Sequence, residues 1–320
     1  MRILFAGNPE FARIVLQILY QFQSNFKITA VLTNPDRPSS RGLKIIYSPV
    51  KQFAIDHNIK IFQPNKLSDQ DFQNQLFNFA DILVVCAYGK IIPPELLNFS
   101  HPSINVHASI LPRWRGAAPI ERAIMAGDKK TGISIMKISE GLDQGDVYLS
   151  KSTEIEISEN AKELSQKLAK IGGDTLVEVL SDLNLEPGIR KYQPRSQQEL
   201  AKTTPITYAE KVSTKDGEIL FTETPINIYN KTRALSHLFG AFYHSHHQQK
   251  IIIRKSQVVE NLKIDQKFKP GQIIAIENDG VTISCNQGAI KLNMIQRVGK
   301  KTLRAVDVIN GMRLQPGDLL

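Results

Sequence analysis

The residues with the most useful chemistry lie in Ser103-Ile104-Asn105-Val106-His107-Ala108-Ser109-Ile110-Leu111-Pro112-Arg113-Trp114-Arg115-Gly116. Asn105 and His107 are two apart, so on a strand they leave the same face while Val106 points the other way into packing. A carboxamide can donate to a developing oxyanion, and an imidazole can carry a proton near neutral pH. A carboxylate to bias that imidazole is available at Asp143, in the turn-rich run Glu140-Gly141-Leu142-Asp143-Gln144-Gly145-Asp146. This set fits acyl transfer to an amine. Ser109 stands in Ala-Ser-Ile-Leu, not in a G-x-S-x-G elbow, so direct transfer without a covalent enzyme intermediate is the simpler chemistry. By spacing alone the alternatives stay open, because one histidine is more often structural and aspartate is an ordinary turn residue.

The elements that must position these groups alternate between strand and helix. Arg2-Ile3-Leu4-Phe5-Ala6-Gly7 reads as a buried strand, and a helix opens at Pro9-Glu10. Gly7-Asn8-Pro9-Glu10 lacks the G-x-G-x-x-G glycines and puts an acid in the first helical turn, so no nucleotide cofactor is expected. Lys27 to Thr33 is a second strand, leading into Asn34-Pro35-Asp36-Arg37-Pro38-Ser39-Ser40-Arg41-Gly42-Leu43-Lys44. That segment reads either as a solvated loop or as a basic flap that orders on a phosphate backbone. Its place after a strand's C-terminal end favours the flap. Further helices are expected at 48–57, with Ser48 as cap, and at 69–79. Further strands are expected at 82–87 and 131–138. Ser158 is expected to cap a long helix whose apolar stripe includes Leu164, Leu168, Ile171 and Leu176.

The alternation predicts an α/β fold: an N-terminal doubly wound, mostly parallel, Rossmann-like sheet over residues 1–188. Residues 189–205, rich in proline, glutamine and threonine, read as a linker. Residues 206–320 change to short β-runs separated by turns such as Asn278-Asp279-Gly280, as in a small OB-like β-barrel.

Composition limits the partners. The chain has 320 residues and a net charge of +9. Residues 206–320 contain 16 Lys and Arg against 10 Asp and Glu, so most of the excess falls in the second part. A basic part suits a polyanion such as nucleic acid, although ordinary surface charge explains it equally well. No run is long enough to span a bilayer and no signal peptide is evident. The two cysteines, Cys86 and Cys285, read as buried thiols in a reducing cytoplasm. His244-Ser245-His246-His247 has no acid or cysteine at zinc spacing and reads as a polar loop, so no metal is expected. Trp114, between two arginines, could stack on a base or pack at the start of a helix.

From Asn105 to Ile120 the run Asn-Val-His-Ala-Ser-Ile-Leu-Pro-Arg-Trp-Arg-Gly-Ala-Ala-Pro-Ile closely resembles the methionyl-tRNA formyltransferase family. The likeness extends to Phe5-Ala6-Gly7-Asn8-Pro9-Glu10-Phe11-Ala12, Pro35-Asp36-Arg37-Pro38, Arg41-Gly42, Ala87-Tyr88-Gly89, and Gly141 to Asp146. It continues through Thr207-Tyr208-Ala209-Glu210-Lys211 and Leu314-Gln315-Pro316-Gly317-Asp318. The resemblance implies a cytoplasmic enzyme that carries the formyl group of 10-formyltetrahydrofolate to the α-amino group of methionine on initiator methionyl-tRNA. It implies a catalytic centre of Asn105, His107 and Asp143. Asn105 would meet the formyl oxygen, His107 would move the proton or stabilise the oxyanion, and Asp143 would hold the imidazole. It also implies a folate site on Ser109, Ile110, Leu111 and Pro112, with Ala87, Tyr88, Gly89 and Ile91 as the opposing wall. The tRNA contacts expected are Arg37, Arg41, Lys44, Arg113 and Arg115, with Arg41 as the wedge at the acceptor stem and the basic C-terminal domain along the tRNA body. No DNA or membrane partner is expected, and the chain is expected to act as a monomer.

The chain departs from the family pattern at Asn8, where threonine is usual, and at Ile110, where leucine is usual. It also departs at Leu238-Phe239-Gly240-Ala241, where Trp-Pro-Gly-Ala is usual. The competing readings are a glycinamide ribonucleotide or sugar-nucleotide formyltransferase, a formyltetrahydrofolate hydrolase, and an RNA-binding protein without catalysis.

Overall fold

The apolar run Ile3-Leu4-Phe5-Ala6 is wholly buried, as a strand covered on both faces must be, and it forms an interior strand of the main sheet. The computed structural model describes residues 1–36, 38–39, 44–245, 248–259 and 268–320. Its contacts define two compact units. Unit 1 comprises Met1–Pro119, Lys130–Glu154 and Ser165–Ala209; unit 2 comprises Ile120–Lys129, Ile155–Leu164 and Glu210–Leu320.

Short 3₁₀ turns aside, the elements up to Ala209 run β1 (Arg2–Gly7), α1 (Glu10–Gln21), β2 (Lys27–Leu32), β3 (Pro38–Ser39), β4 (Lys44–Ile45), α2 (Pro49–Asp56), β5 (Lys60–Phe62), α3 (Gln70–Phe79) and β6 (Ile82–Cys86). They continue with β7 (Ile104–His107), β8 (Arg115–Gly116), α4 (Pro119–Met125), β9 (Lys130–Lys137), β10 (Val147–Glu154), α5 (Ala161–Leu183), α6 (Gln197–Leu200) and β11 (Tyr208–Ala209). The main sheet of unit 1 has the order β10-β9-β7-β6-β1-β2-β5. β1, β2, β5, β6 and β7 are parallel, whereas β9 is antiparallel to β7 and β10 to β9. The expected mostly parallel, doubly wound sheet is therefore the fold of this unit.

Local chemistry accounts for the element ends. At Gly7 a Cβ would come within 2.7 Å of both the Cys86 carbonyl and the Ala12 Cβ, so the turn from β1 into α1 closes at contact distance and only glycine fits. Ser48 and Asp69 cap α2 and α3 by accepting backbone N–H bonds from Lys51 and Phe72. The cap of α5 is Asn160 instead of Ser158. Its carboxamide oxygen accepts from the N–H groups of Lys162 and Glu163, and the Glu163 carboxylate accepts from the Asn160 N–H, a reciprocal capping box. On α5, Gly172 lets the helix approach Val106 and Gly173 lets it approach Ile18. The Val106 face of β7 is thus covered, and Asn105 and His107 are left on the opposite face.

Two further stretches show more structure than their residue pattern suggests. β10 occupies residues 147–154, where no strand is expected, because its second half, Ser-Lys-Ser-Thr-Glu, lacks the apolar run that marks the other strands. The stretch around 189–205 is also ordered: Arg195 exchanges both backbone hydrogen bonds with Val147 at 2.9 Å, and Ser196 caps α6.

Unit 2 adds α7 (Pro225–Leu235), β12 (Ala241–His244), β13 (Lys250–Val259), β14 (Ile273–Glu277), β15 (Gly280–Cys285), β16 (Gly288–Arg297), β17 (Leu303–Arg304) and α8 (Ala305–Gly311). Its antiparallel sheet has the order β12-β13-β16-β15-β14, with β17 on β16. The expected β-rich C-terminal domain is thus an antiparallel sheet; among the described residues β12 and β14 are not hydrogen-bonded to each other. Its apolar core includes Ile251, Ile253, Ile283 and Leu292, with Ile228 of α7 and Ile309 of α8 packed in. In the same unit Arg122 Nη1 meets Asp216 Oδ1 at 2.7 Å, and the Ser213 N–H and hydroxyl donate to Asp216 Oδ2 at 2.7 and 2.8 Å.

Burial alone would raise the Asp216 carboxyl, but the hydrogen bonds from Arg122 and Ser213 outweigh it and bring it down to about 2. The folded value lies below the unfolded value of about 3.9. The contribution to stability is therefore complete above about pH 4 and lost as pH falls towards about 2. We expect Asp216→Asn to lower unfolding stability at pH 7 by about 1–2 kcal/mol. Urea titrations should show the gap to the parent closing over that acid range; a gap that stays constant would contradict the assignment.

Candidate active site

Asn105 and His107 end β7 on one face, and the antiparallel register sets His107 opposite Ser134 of β9. His107 is buried. Its Nε2 lies 2.8 Å from the Trp114 carbonyl. A carbonyl can only accept, so Nε2 carries the proton and donates it. In the neutral ring Nδ1 is then the nitrogen with the free lone pair, and it faces Asp143 Oδ2 at 3.6 Å. Two acceptors so placed are matched by a proton arriving on Nδ1 or by a donor lying against both. With Nε2–H given to it, the Trp114 carbonyl orients the ring, and the Asp143 carboxylate lies opposite Nδ1 beyond direct hydrogen-bond distance.

Asp143 is itself fixed. Its φ is +49°, a left-handed conformation uncommon for a residue with a Cβ, and its Oδ2 accepts the Gly116 N–H at 2.8 Å. Gly116 in turn has φ +120°, and a Cβ there would meet the Ala209 carbonyl at 2.7 Å. The reason is the short pairing of β8 with β11, Arg115 with Tyr208 and Gly116 with Ala209. Around it, the Arg115 N–H donates to the Thr207 carbonyl and the Ala118 N–H to the Ala209 carbonyl, while the Trp114 N–H donates to Thr207 Oγ1. Thr207-Tyr208-Ala209 thus pins the loop that supplies a carbonyl to His107 and an N–H to Asp143. Nothing in the residue types of this tripeptide points to that task.

The other expected site residues divide into exposed and buried groups. Ala87 and Gly89 are exposed with φ of +48° and +79°, and Ile91 is 91% exposed, so this turn presents a surface. Tyr88 differs from its neighbours: its ring is buried in the core with Leu83, Val85 and Leu96, its hydroxyl has no partner among the described residues, and burial pushes it up to about 12. Only its backbone faces the loops. Ser109, Leu111 and Pro112 are buried and Ile110 half-buried. Ser109 Oγ donates to the Arg113 carbonyl, and Leu111 packs with Met136 and Val147. A cleft of about 540 Å³ opens instead between Pro94–Asn98 and residues 137–140, just before Asp143 in the chain.

Arg115, expected at the tRNA, differs from Arg113 in its surroundings. It is buried, and its Nε–H donates to Gln197 Oε1 at 2.8 Å, so it braces the site from within instead of offering a surface cation. The Arg113 guanidinium stacks on the Trp114 ring at 4.5 Å. Trp114, with φ +62°, sits in the turn several residues before α4 begins. Arg37 and Arg41 lie outside the described residues, and Lys44 belongs to β4. The base of that basic segment is anchored: Lys51 binds Asp36 and Gln63, and Gln63 Nε2 donates to the Asn34 carbonyl at 2.7 Å. Burial would raise Asp36, but Lys51 and Gln63 hold it below the usual carboxylate range. Asn8 Nδ2 donates to the Tyr88 carbonyl at 2.5 Å and its Oδ1 accepts the Asn34 N–H at 2.7 Å. Among the described residues no three His, Cys, Asp or Glu side chains gather to hold a metal ion, and no helix is long and apolar enough to cross a membrane.

Comparison with known proteins gives consistent matches. The model of the formyl transferase family matches residues 1–180, and that of the formyl transferase C-terminal domain matches residues 211–313. Methionyl-tRNA formyltransferase of Nitrosomonas eutropha is 39% identical over 320 residues, covering 99% of this chain and 97% of that protein. The enzyme of the same name from Coxiella burnetii is 40% identical over 321 residues, covering 99% and 98%. Among solved structures, HypX from Aquifex aeolicus superposes with a TM-score of 0.64 at 16% identity, covering all of this chain, which spans 49% of HypX. The sugar 3N-formyl transferase WlaRD superposes with a TM-score of 0.63 at 19% identity, covering 94% of this chain and 99% of that one. At these identities the structural likeness speaks for the fold.

The floor of the site rests on Ser134, whose hydroxyl accepts the Leu111 N–H at 3.1 Å and donates to the Ser109 carbonyl at 2.8 Å. Ser134→Ala leaves both backbone groups unpaired in a buried place. It is expected to cost about 1–3 kcal/mol, read as a lower midpoint in urea; an unchanged midpoint would show that neither bond contributes.

Proposed function

The chain belongs to the methionyl-tRNA formyltransferase family, and from that premise we propose that it transfers the formyl group of 10-formyltetrahydrofolate to the α-amino group of methionine on initiator tRNA, using Asn105, His107 and Asp143. The observation that carries the division of labour is the pair of contacts on His107: Nε2–H committed to the Trp114 carbonyl, and Nδ1 turned towards Asp143 at 3.6 Å.

The bond that forms joins the methionine nitrogen to the formyl carbon, and the bond that breaks joins that carbon to N10 of the folate. Asn105 donates a carboxamide N–H to the oxygen that becomes negative between the two events. His107 takes the proton shed by the attacking amine on Nδ1 and returns it to N10 as the C–N10 bond breaks. While the ring is charged, its Nδ1–H points at the Asp143 carboxylate, which is where the 3.6 Å pair becomes favourable. No protein nucleophile is required.

The 540 Å³ cleft between Pro94–Asn98 and residues 137–140 is in the range of small-molecule sites. With the exposed turn at Ala87, Gly89 and Ile91, it is the surface we assign to the folate donor. For the tRNA we assign the segment carrying Arg37, Arg41 and Lys44, together with Arg113 and the basic residues of 206–320; Arg115 is omitted because it is buried.

The direct test is incubation with 10-formyltetrahydrofolate and charged initiator tRNA. Formyl-methionyl-tRNA is expected, and release of formate without tRNA formylation would refute the reading in favour of hydrolysis. His107→Ala should lower kcat by about 100-fold or more while tRNA binding by filter retention is kept; near-parent turnover would remove His107 from the proton path. tRNA affinity should fall steeply with salt because Lys and Arg contacts release counterions. A flat salt response would count against the basic surface.

A further inference from the structure

Gln197 lies in the polar stretch after α5, far in sequence from the catalytic residues, yet its side chain is 1% exposed. Its Nε2 donates to two backbone carbonyls of the Asp143 loop, those of Asp143 and Gly145, each at 2.8 Å. Its Oε1 accepts from Arg115 Nε at 2.8 Å. A primary amide has two donor hydrogens, and both are spent on that loop. The orientation is unambiguous, since a flipped amide would set oxygen against two carbonyls and NH₂ against a guanidinium. Asp143 is held in a left-handed conformation, and its working oxygen is gripped by the N–H of Gly116, the neighbour of Arg115. Gln197 therefore fastens both the backbone that carries the carboxylate and the strand that aims it. Its own place is secured by the Arg195–Val147 bridge and the Ser196 cap. All these residues belong to unit 1.

We propose that Gln197 is a positioning residue for formyl transfer, setting the separation between the Asp143 carboxylate and His107 Nδ1 through the backbone of the 143–145 loop. This rests on Asp143 being part of the proton path, as argued above. Sub-ångström placement of such a group governs the rate of the chemical step more than the binding of either substrate.

Gln197→Ala removes all three bonds. Gln197→Glu keeps the volume and the contact with Arg115 but cannot donate to two carbonyls when ionised. Both should lower kcat by about 10–100-fold with KM for tRNA and for the folate within about threefold of the parent. In an Asp143→Ala background, measured by single turnover with enzyme in excess, Gln197→Ala should add no further loss, because its effect runs through Asp143. Near-parent kcat in either variant overturns the proposal. So does a loss that recurs in full in the Asp143→Ala background, a loss expressed in KM alone, or failure of both variants to fold, each of which marks a merely structural residue. The parent enzyme run alongside separates the two ideas: if it does not formylate methionyl-tRNA, the proposed function fails; if it does, only the role of Gln197 is at issue.

Discussion

The site depends on one hydrogen bond, from His107 Nε2–H to the Trp114 carbonyl. It selects the tautomer, leaves Nδ1 as the basic nitrogen and turns that nitrogen to Asp143. Reaching it requires the chain to leave β7, turn back within seven residues and present a main-chain oxygen to the ring. Trp114 does this in a left-handed conformation that would not persist unaided. Thr207 holds it by accepting the Trp114 N–H on its side chain and the Arg115 N–H on its carbonyl. The same loop then offers Gly116 N–H to Asp143. One folded-back segment thus orients both the His107 ring and the Asp143 carboxylate.

This explains what was legible in the sequence. The period of a strand puts Asn105 and His107 on one face, and the α5 glycines facing Val106 and Ile18 confirm which face is packed. The doubly wound sheet was legible because buried parallel strands are continuous apolar runs. β10 was not, since its second half is polar and its partnership with β9 is set by long-range pairing. Asp143 was visible as a carboxylate in a turn, but its geometry was not, because the ring it serves is oriented by a backbone carbonyl that no side-chain pattern records.

Charge was the poorest guide. Arg113 and Arg115 flank Trp114 and look equivalent as cations, yet one stacks on the indole and the other is buried against Gln197. Only Arg115 belongs to β8; Arg113 precedes it across the left-handed Trp114, so strand periodicity does not relate the two side chains. Tyr88 misleads in the same way: its neighbours Ala87 and Gly89 are exposed, and its ring points into the core. Gln197 was hidden for the opposite reason. In a run of Gln, Pro, Thr and Ser an amide reads as solvated, and only three-dimensional closure over some fifty residues in sequence reveals that its donors are spent.

Asn8 shows how a departure from the family pattern can still fit. It stands at the end of β1, an interior strand of the sheet, where the chain segments leaving β2 and β6 begin. Its carboxamide accepts from Asn34, the first residue of the basic segment, and donates to the carbonyl of Tyr88, in the exposed turn assigned to the folate. A threonine hydroxyl, the family's usual group here, can also accept one hydrogen bond and donate one, so the exchange keeps the pattern with a longer reach. Asn34 Nδ2 adds a bond to the same Tyr88 carbonyl at 3.3 Å. The starts of the chain segments leaving β2 and β6 therefore share one anchor at the end of β1.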